Sequence, residues 1–123
     1  MAEKNNDPKQ KTVLFAFRGD PLCFVHVLLN GLDLHANGQQ GKIVLEGESV
    51  TLVEKMSQPG HFLSDLYQKA KDAGIIHGAC KACSAKLKAT KAVENAGIPL
   101  IGDMNGHPAM SQFLAQGYQV ITF

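Results

Sequence analysis

The stretch GIIHGACKACSAKLKATKAVEN, residues 74–95, decides the fold prediction. Its first part, residues 74–79, is a short apolar run typical of a buried strand. It leads directly into residues 81–95, where small apolar side chains recur at helical spacing. We therefore predict one continuous helix over residues 81–95, with Gly97 as its stop signal. A strand that leads directly into a helix is typical of α/β proteins with a parallel sheet.

The rest of the chain shows the same alternation of strands and helices. Apolar runs predict strands at residues 11–17, 43–46, 98–101 and 118–123, and helical periodicity or helix-end signals predict helices at residues 22–37, 51–56, 61–74 and 108–117. Thr51 and Glu54 form a capping-box pattern in the second of these helices, and Phe62 is assigned to the buried face of the third. We predict an α/β fold: a single-domain three-layer α/β/α sandwich over residues 11–123, with a mostly parallel sheet of about five strands. A flexible lead-in at residues 1–10 precedes it.

Composition narrows the functional class. The chain has 123 residues, 45% of them hydrophobic, and a formal net charge of +1, so its overall charge gives no support for nucleic acid or an anionic membrane as a partner. No apolar run approaches the length of a transmembrane helix. The chain has three cysteines, an odd number, and no export signal at its start. Both observations favour a reducing, cytoplasmic setting over a disulfide framework.

Two cysteines stand where the predicted strand gives way to the predicted helix. Cys80 lies at the helix N-terminus, where unpaired N–H groups, the helix dipole and the cation of Lys81 favour a thiolate over a thiol. Cys83 follows one turn later on the same face, within reach of Cys80 for a disulfide or for sulfur exchange. This placement favours a reactive thiol at Cys80. Two other interpretations stay open: both cysteines as inert packing, or both as metal ligands.

A metal centre would need further ligands, and the candidates are His77 and His107. Strand alternation places His77 on the opposite face of its strand from Cys80, and the sequence contains no second Cys-x-x-Cys pair. No glycine-rich nucleotide motif follows the first predicted strand. We therefore predict no metal centre and no cofactor.

Several polar residues should lie beside the cysteine pair, because the carboxyl ends of parallel strands meet at one edge of the sheet. Glu46 and Glu48 follow the second strand and are candidate proton acceptors for the thiol. A nearby carboxylate also raises the pKa of a thiol, which opposes thiolate formation. His107, in the loop after the fourth strand, is a candidate ion-pair partner for Cys80. Ordinary packing, solvated loop charges and capping of the last helix are the competing explanations for these residues. The predicted pocket residues are Cys23, Glu46, Glu48, Lys81, Asn105 and His107.

Four segments carry a resemblance to a known family. They are KTVLFAF (residues 11–17), KIVLEGE (42–48), IIHGACKAC (75–83) and GYQVITF (117–123). With these segments the chain resembles the DsrE/DsrF-like family, small cytoplasmic α/β proteins associated with sulfur relay. In the sulfur-carrying members, a cysteine after the third strand takes up sulfane sulfur as a persulfide, and the resemblance gives that role to Cys80. Cys83 is not part of this basic pattern, so it would either resolve the persulfide by forming a disulfide or be structural. The resemblance also implies a homo-oligomer, trimer or hexamer, with sulfur-donor or sulfur-acceptor proteins as partners.

We predict from these observations a cytoplasmic sulfur carrier or sulfurtransferase-like protein, with Cys80 as the persulfide-bearing thiol and Cys83 beside it in the catalytic site. The alternative is a non-catalytic oligomeric binding module that uses the same strand-end pocket for a small ligand or a metal. The helix at residues 22–37 favours an oligomer, because it is apolar on more than one face and one sheet contact cannot bury all of it. The candidate interface residues are Val25, Leu28, Leu29 and Leu32.

Overall fold

The computed structural model describes residues 10–123, so the predicted lead-in lies outside the described residues except for Gln10. Five parallel strands form one sheet in the order β4-β3-β2-β1-β5, which confirms the predicted α/β fold. The elements are β1 (Lys11–Ala16), α1 (Pro21–Ala36), β2 (Lys42–Leu45), α2 (Leu52–Met56), α3 (Ser64–Asp72), β3 (Ile76–Cys80), α4 (Lys81–Lys86), α5 (Thr90–Asn95), β4 (Leu100–Ile101), α6 (Met110–Ala115) and β5 (Tyr118–Thr122), with a short 3-10 helix, Gly47–Thr51, before α2. None of the helices within residues 10–123 combines the length and the apolar character needed to span a bilayer.

The connectivity decides which face of the sheet each helix covers. From β1 to β4 the chain moves in one direction across the sheet, so right-handed crossovers place α1 to α5 on the same face. The connection from β4 to β5 returns across the whole sheet and places α6 on the other face. After β3 the chain therefore continues into α4 and α5 on one face of the sheet, and after the neighbouring strand β4 it continues into α6 on the opposite face. In an open α/β sheet, such a point forms a crevice at the carboxyl ends of the strands.

Two buried clusters correspond to the two helical layers. The larger lies between the sheet and α1 to α5, and its members include Leu14, Leu28, Val53, Tyr67 and Val93. The smaller lies under α6 and consists of Val13, Phe15, Val44, Phe113 and Tyr118. The ring of Phe113 meets the rings of Phe15 and Tyr118 edge to face, with centroids 5.6 and 5.5 Å apart. The predicted three-layer arrangement is confirmed, and one of its outer layers is α6 alone.

The continuous helix predicted after Cys80 is wrong. Two short helices, α4 and α5, occupy that stretch, and Lys88 between them has a left-handed backbone with a φ of 59°. The Ala89 amide donates to the Ser84 carbonyl at 2.7 Å, which closes the end of α4 as the chain turns. Ala89 is buried after this turn, and its burial helps to offset the strained backbone at Lys88.

Helix α1 buries one face only. Phe24, Val27 and Leu28 are at most 1% exposed, whereas Leu22 is 69% and Leu29 is 48% exposed. Leu28 therefore belongs to the core of the subunit, and its assignment to a subunit interface is wrong. The outer face of α1 keeps two exposed leucines.

Two local predictions around α2 and α3 are wrong as well. Helix α2 begins at Leu52, but Thr51 makes no capping bond to it; the Thr51 hydroxyl donates instead to the Glu48 carbonyl at 2.7 Å. Phe62 precedes the start of α3 at Ser64 and is 62% exposed, so it is not on the buried face of that helix. The other predicted elements are present, with ends that differ by no more than three residues.

Candidate functional site

The crevice between β3 and β4 brings the cysteine motif next to the loop that follows β4. Cys80 is the last residue of β3 and the N-cap of α4, and it pairs with Ile101 at the end of β4. The chain then turns back over the start of α4 before it enters α6. Residues from two neighbouring strand ends therefore meet at one point.

A tight turn, Met104 to His107, gives this loop its shape. The amides and carbonyls of Met104 and His107 bond each other at 2.8 and 2.9 Å, and Asn105 and Gly106 between them have φ values of 51° and 93°. Positive φ at both central positions is the two-residue hairpin turn that Asn-Gly favours. The Gly106 carbonyl accepts a bond from the Ala82 amide at 2.8 Å, which docks the turn on the first turn of α4. This docking carries His107 over the cysteine pair.

The Cys80 sulfur is enclosed by polar groups of the turn and of α4. Its Sγ lies 3.1 Å from Nδ1 of His107, accepts the Cys83 amide hydrogen at 3.3 Å, and lies 3.7 Å from the Gly106 carbonyl oxygen. Cys83 Sγ is 3.9 Å from the same Nδ1, and the two sulfurs and this nitrogen all lie within 4.8 Å of one another. Cys80 is 0% exposed, so the reactive candidate is beneath the surface of the subunit.

Burial raises the pKa of the Cys80 thiol to about 12. The Cys83 amide lowers this pKa, whereas the Cys83 side chain and the charge of Glu46 raise it. The expectation that the helix end and Lys81 hold Cys80 as a thiolate is therefore wrong, because desolvation dominates the ionisation of this thiol. Cys80 is therefore a neutral thiol near neutral pH, and Nδ1 of His107 lies within hydrogen-bond distance of its sulfur.

Glu46 is the predicted carboxylate that interacts electrostatically with the site. It follows β2, is 8% exposed, and its backbone amide bonds the Ala16 carbonyl at 2.8 Å. Burial raises the pKa of its carboxyl, and the charge of His107 lowers it. Glu46 therefore interacts electrostatically with both Cys80 and His107.

The remaining predicted pocket residues have other surroundings. Cys23 is half-buried in the first turn of α1 and does not belong to the group formed by the two other cysteines and His107. Glu48 and Asn105 are exposed, and the role of Asn105 is to shape the turn. Lys81 is also exposed, and its Cβ and Cδ lie beside Gly102.

His77 lies apart from the cysteine pair. Its ring meets the ring of Phe113 at 5.1 Å, on the α6 side of the sheet, and burial together with Lys42 lowers its pKa. Simple alternation along β3 does not hold, because the pairing with β2 shifts register between Ile43 and Val44. Of the two histidines considered as metal ligands, only His107 reaches the sulfurs.

Sequence reasoning missed the contribution of Gly106. Its carbonyl both docks the turn on α4 and approaches the Cys80 sulfur, and an added Cβ at Gly106 would lie 3.1 Å from the Cβ of Ala82. The signal was the Asn105-Gly106 pair, which favours a two-residue hairpin turn. Nothing in the sequence indicates where that turn docks.

Comparison with known proteins identifies the family. The sequence model of the DsrE/DsrF-like family matches residues 28–123. This chain belongs to the DsrE/DsrF-like family. It is also 29% identical over 97 residues to "Uncharacterized protein MJ0733" of Methanocaldococcus jannaschii, a match that covers 79% of this chain and 77% of that protein. One similar solved structure is "Structure of Conserved Protein of Unknown Function BT1422 from Bacteroides thetaiotaomicron". It superposes with a TM-score of 0.67 at 18% identity over 92% of this chain and 95% of that one, and supports the fold.

The DsrE/DsrF-like match covers the whole cluster at the crevice. Glu46, Cys80, Cys83 and His107 lie within residues 28–123, whereas Cys23 precedes them. The resemblance predicted from the sequence is confirmed as membership of the family.

Proposed function

We propose that this protein is a sulfur carrier in which Cys80 takes up sulfane sulfur as a persulfide and passes it to an acceptor thiol. The observation that carries the proposal is the 3.1 Å contact between Cys80 Sγ and His107 Nδ1 at the carboxyl edge of the sheet. A thiol beside an imidazole is the arrangement that activates a cysteine nucleophile. Membership of a family associated with sulfur relay supports the same proposal.

Loading begins with transfer of the Cys80 proton to His107. The thiolate then attacks a sulfane sulfur of the donor, a new S–S bond forms at Cys80, and the S–S bond of the donor breaks. The departing thiolate or sulfide takes the proton from the imidazolium. The Cys83 amide, 3.3 Å from the sulfur, stabilises the negative charge during attack. Because Cys80 is 0% exposed, the groups that cover its sulfur must shift enough to admit a donor while Nδ1 of His107 stays in contact with the sulfur.

Cys83 sets the lifetime of the persulfide. Its sulfur lies within 4.8 Å of Cys80 Sγ, so its thiolate reaches the inner sulfur of a persulfide there. That attack forms a Cys80–Cys83 disulfide and releases the outer sulfur as sulfide. A thiol reductant then reopens the disulfide and restores the two thiols.

The loading test uses reduced protein and inorganic polysulfide, with intact-mass measurement after the excess donor is removed. The Cys83→Ser chain, which lacks the resolving thiol, and the Cys23→Ser/Cys83→Ser chain should each gain one sulfur atom that reductant removes. Cys80→Ser should gain none. Equal loading of Cys80→Ser and Cys83→Ser would contradict the proposal.

The alternative, an oligomeric binding module at the same pocket, is supported by one observation: two sulfurs and a ring nitrogen within 4.8 Å of one another. These are donor atoms for a soft metal ion or a small ligand. A protein that binds such a ligand but gains no sulfur with any donor would be this module.

We also propose a cytoplasmic homo-oligomer, trimer or hexamer, that meets sulfur-donor or sulfur-acceptor proteins. Three unpaired cysteines suit a reducing compartment. Leu22 and Leu29, 69% and 48% exposed on α1, are apolar surface that a subunit contact would cover. Light scattering at micromolar concentration should report more than one subunit, and a monomer there would contradict the assembly.

A further inference from the structure

The three donor atoms at the crevice nearly match the ligand positions of a metal site. In tetrahedral zinc with bonds of about 2.3 Å to sulfur and 2.0–2.1 Å to nitrogen, a sulfur and a nitrogen ligand lie about 3.5 Å apart. The separations from Nδ1 of His107 are 3.1 Å to Cys80 Sγ and 3.9 Å to Cys83 Sγ. These separations lie on either side of the ideal value. The two sulfurs lie within 4.8 Å of each other, and binding would draw them to the about 3.8 Å of two sulfur ligands on tetrahedral zinc, so the site would close by up to about 1 Å around the ion.

The surroundings also suit a bound cation. The Cys83 amide already donates to Cys80 Sγ at 3.3 Å, and such outer hydrogen bonds orient thiolate ligands. Glu46 is a buried carboxyl that interacts electrostatically with Cys80 and His107, so the site has an acidic group in its surroundings. Two thiolates and one imidazole favour Zn²⁺ over Mg²⁺ or Ca²⁺.

Three protein ligands leave the fourth tetrahedral position open. Open sites exchange ligands at the metal, whereas closed structural sites have four protein ligands. The earlier expectation of no metal centre depended on His77 and on the absence of a second cysteine pair. His107, the other candidate ligand, supplies the third donor.

We propose that Cys80, Cys83 and His107 bind one Zn²⁺ ion reversibly, and that bound zinc prevents Cys80 from taking up sulfur. This regulation rests on the proposed sulfur-carrier function. Zinc displaces one proton from each thiol to the buffer and occupies the electron pair with which Cys80 would attack a donor. Zinc and sulfane sulfur therefore compete for the same sulfur atom.

Zinc affinity is measured first, with no sulfur present, on the reduced full-length chain against a chromophoric zinc chelator. The wild-type chain should bind one Zn²⁺. Cys23→Ser, the matched control, should bind it equally well. Cys83→Ser keeps Cys80 and His107, and its affinity for Zn²⁺ should be more than about 100-fold weaker than that of the wild-type chain. Loss of a residue that only hydrogen-bonds to a ligand usually lowers metal affinity by about 10- to 100-fold. With Co²⁺ as the probe, the wild-type chain should show thiolate-to-cobalt absorption that Cys83→Ser weakens.

Sulfur loading is then measured with and without zinc. At 90% occupancy of the wild-type site, loading from polysulfide should slow about tenfold, because only the unoccupied fraction carries an available thiol. A chelator should restore the rate. Loading of Cys83→Ser should not change at the same zinc concentration. A matched amount of zinc chloride is added to the donor alone to correct for zinc polysulfide formation.

The outcomes separate the two proposals. Loading on Cys80 without zinc binding, or with binding that Cys83→Ser leaves intact, overturns the zinc site and leaves the carrier function standing. Zinc binding without any sulfur loading overturns the carrier function and, with it, the competition. Zinc binding that leaves the wild-type loading rate unchanged overturns the competition alone.

Discussion

Replacing His107 with alanine should slow sulfur uptake by Cys80 at least about 100-fold. The substitution removes the ring nitrogen that lies 3.1 Å from Cys80 Sγ and leaves the thiol without a base. The thiolate is the species that attacks sulfur, so the rate follows the fraction of Cys80 that is ionised or can pass its proton to a neighbour.

The magnitude follows from the burial of the thiol. A thiol with a pKa of about 12 is ionised in roughly one molecule in 30,000 at pH 7.5. A positioned base typically contributes about 10²- to 10⁴-fold. Alanine at position 107 also uncovers the sulfur to water, which relieves part of the desolvation. We therefore expect a loss near the lower end of that range.

The assay is single-turnover loading from polysulfide, followed by quenched intact-mass measurement. His35→Ala, at an exposed histidine near the end of α1, is the matched control and should load at the wild-type rate. A folded His107→Ala protein that loads Cys80 within about threefold of the wild-type rate would refute the base role of His107.

Three more perturbations test the cysteine pair, the burial of the sulfur and the packing of α1. Cys83→Ser should lengthen the life of the persulfide on Cys80 at least about tenfold, because the resolving thiol is gone; an unchanged decay of the added mass would exclude that role. Iodoacetamide at neutral pH should label half-buried Cys23 at least about tenfold faster than buried Cys80, and peptide mapping that gives the reverse order would contradict control by burial. Gly41→Ala should lower the free energy of unfolding by about 2 kcal/mol or more, since Gly41 has a φ of 66° and a Cβ there would overlap a carbonyl oxygen of α1. Gly60→Ala, with open space around it, should melt close to the wild type, and equal melting of the two variants would contradict this packing.

The sheet was predictable because its signals are local. Short apolar runs and helical periodicity appear in each segment, and their alternation implies a parallel sheet whatever the order of the strands. The break between α4 and α5 has no such signal, since residues 86–90 contain neither glycine nor proline. The chain turns there through a left-handed Lys88, next to Ala89, which is buried in the tertiary structure.

The residues that form the candidate site could be predicted from the sequence more fully than their chemistry. Cys80 and Cys83 could be placed at a strand end from the sequence, and His107 could be named as a partner from the order of the strands. The ionisation of Cys80 could not be deduced from its neighbours along the chain. It depends on burial beneath the Met104–His107 turn, which is more than 20 residues away along the chain. The Gly106 carbonyl oxygen of that turn lies 3.7 Å from the Cys80 sulfur.

The most direct test of the central claim is the location of the added sulfur. Cys83→Ser protein is incubated with a sulfane-sulfur donor, the remaining thiols are blocked, and the peptides are fragmented in the mass spectrometer. The serine removes the resolving thiol, so a persulfide that forms should persist long enough to be mapped. The account predicts one extra sulfur atom on Cys80 and none on Cys23. Extra sulfur on Cys23 alone, or on neither cysteine, would contradict it.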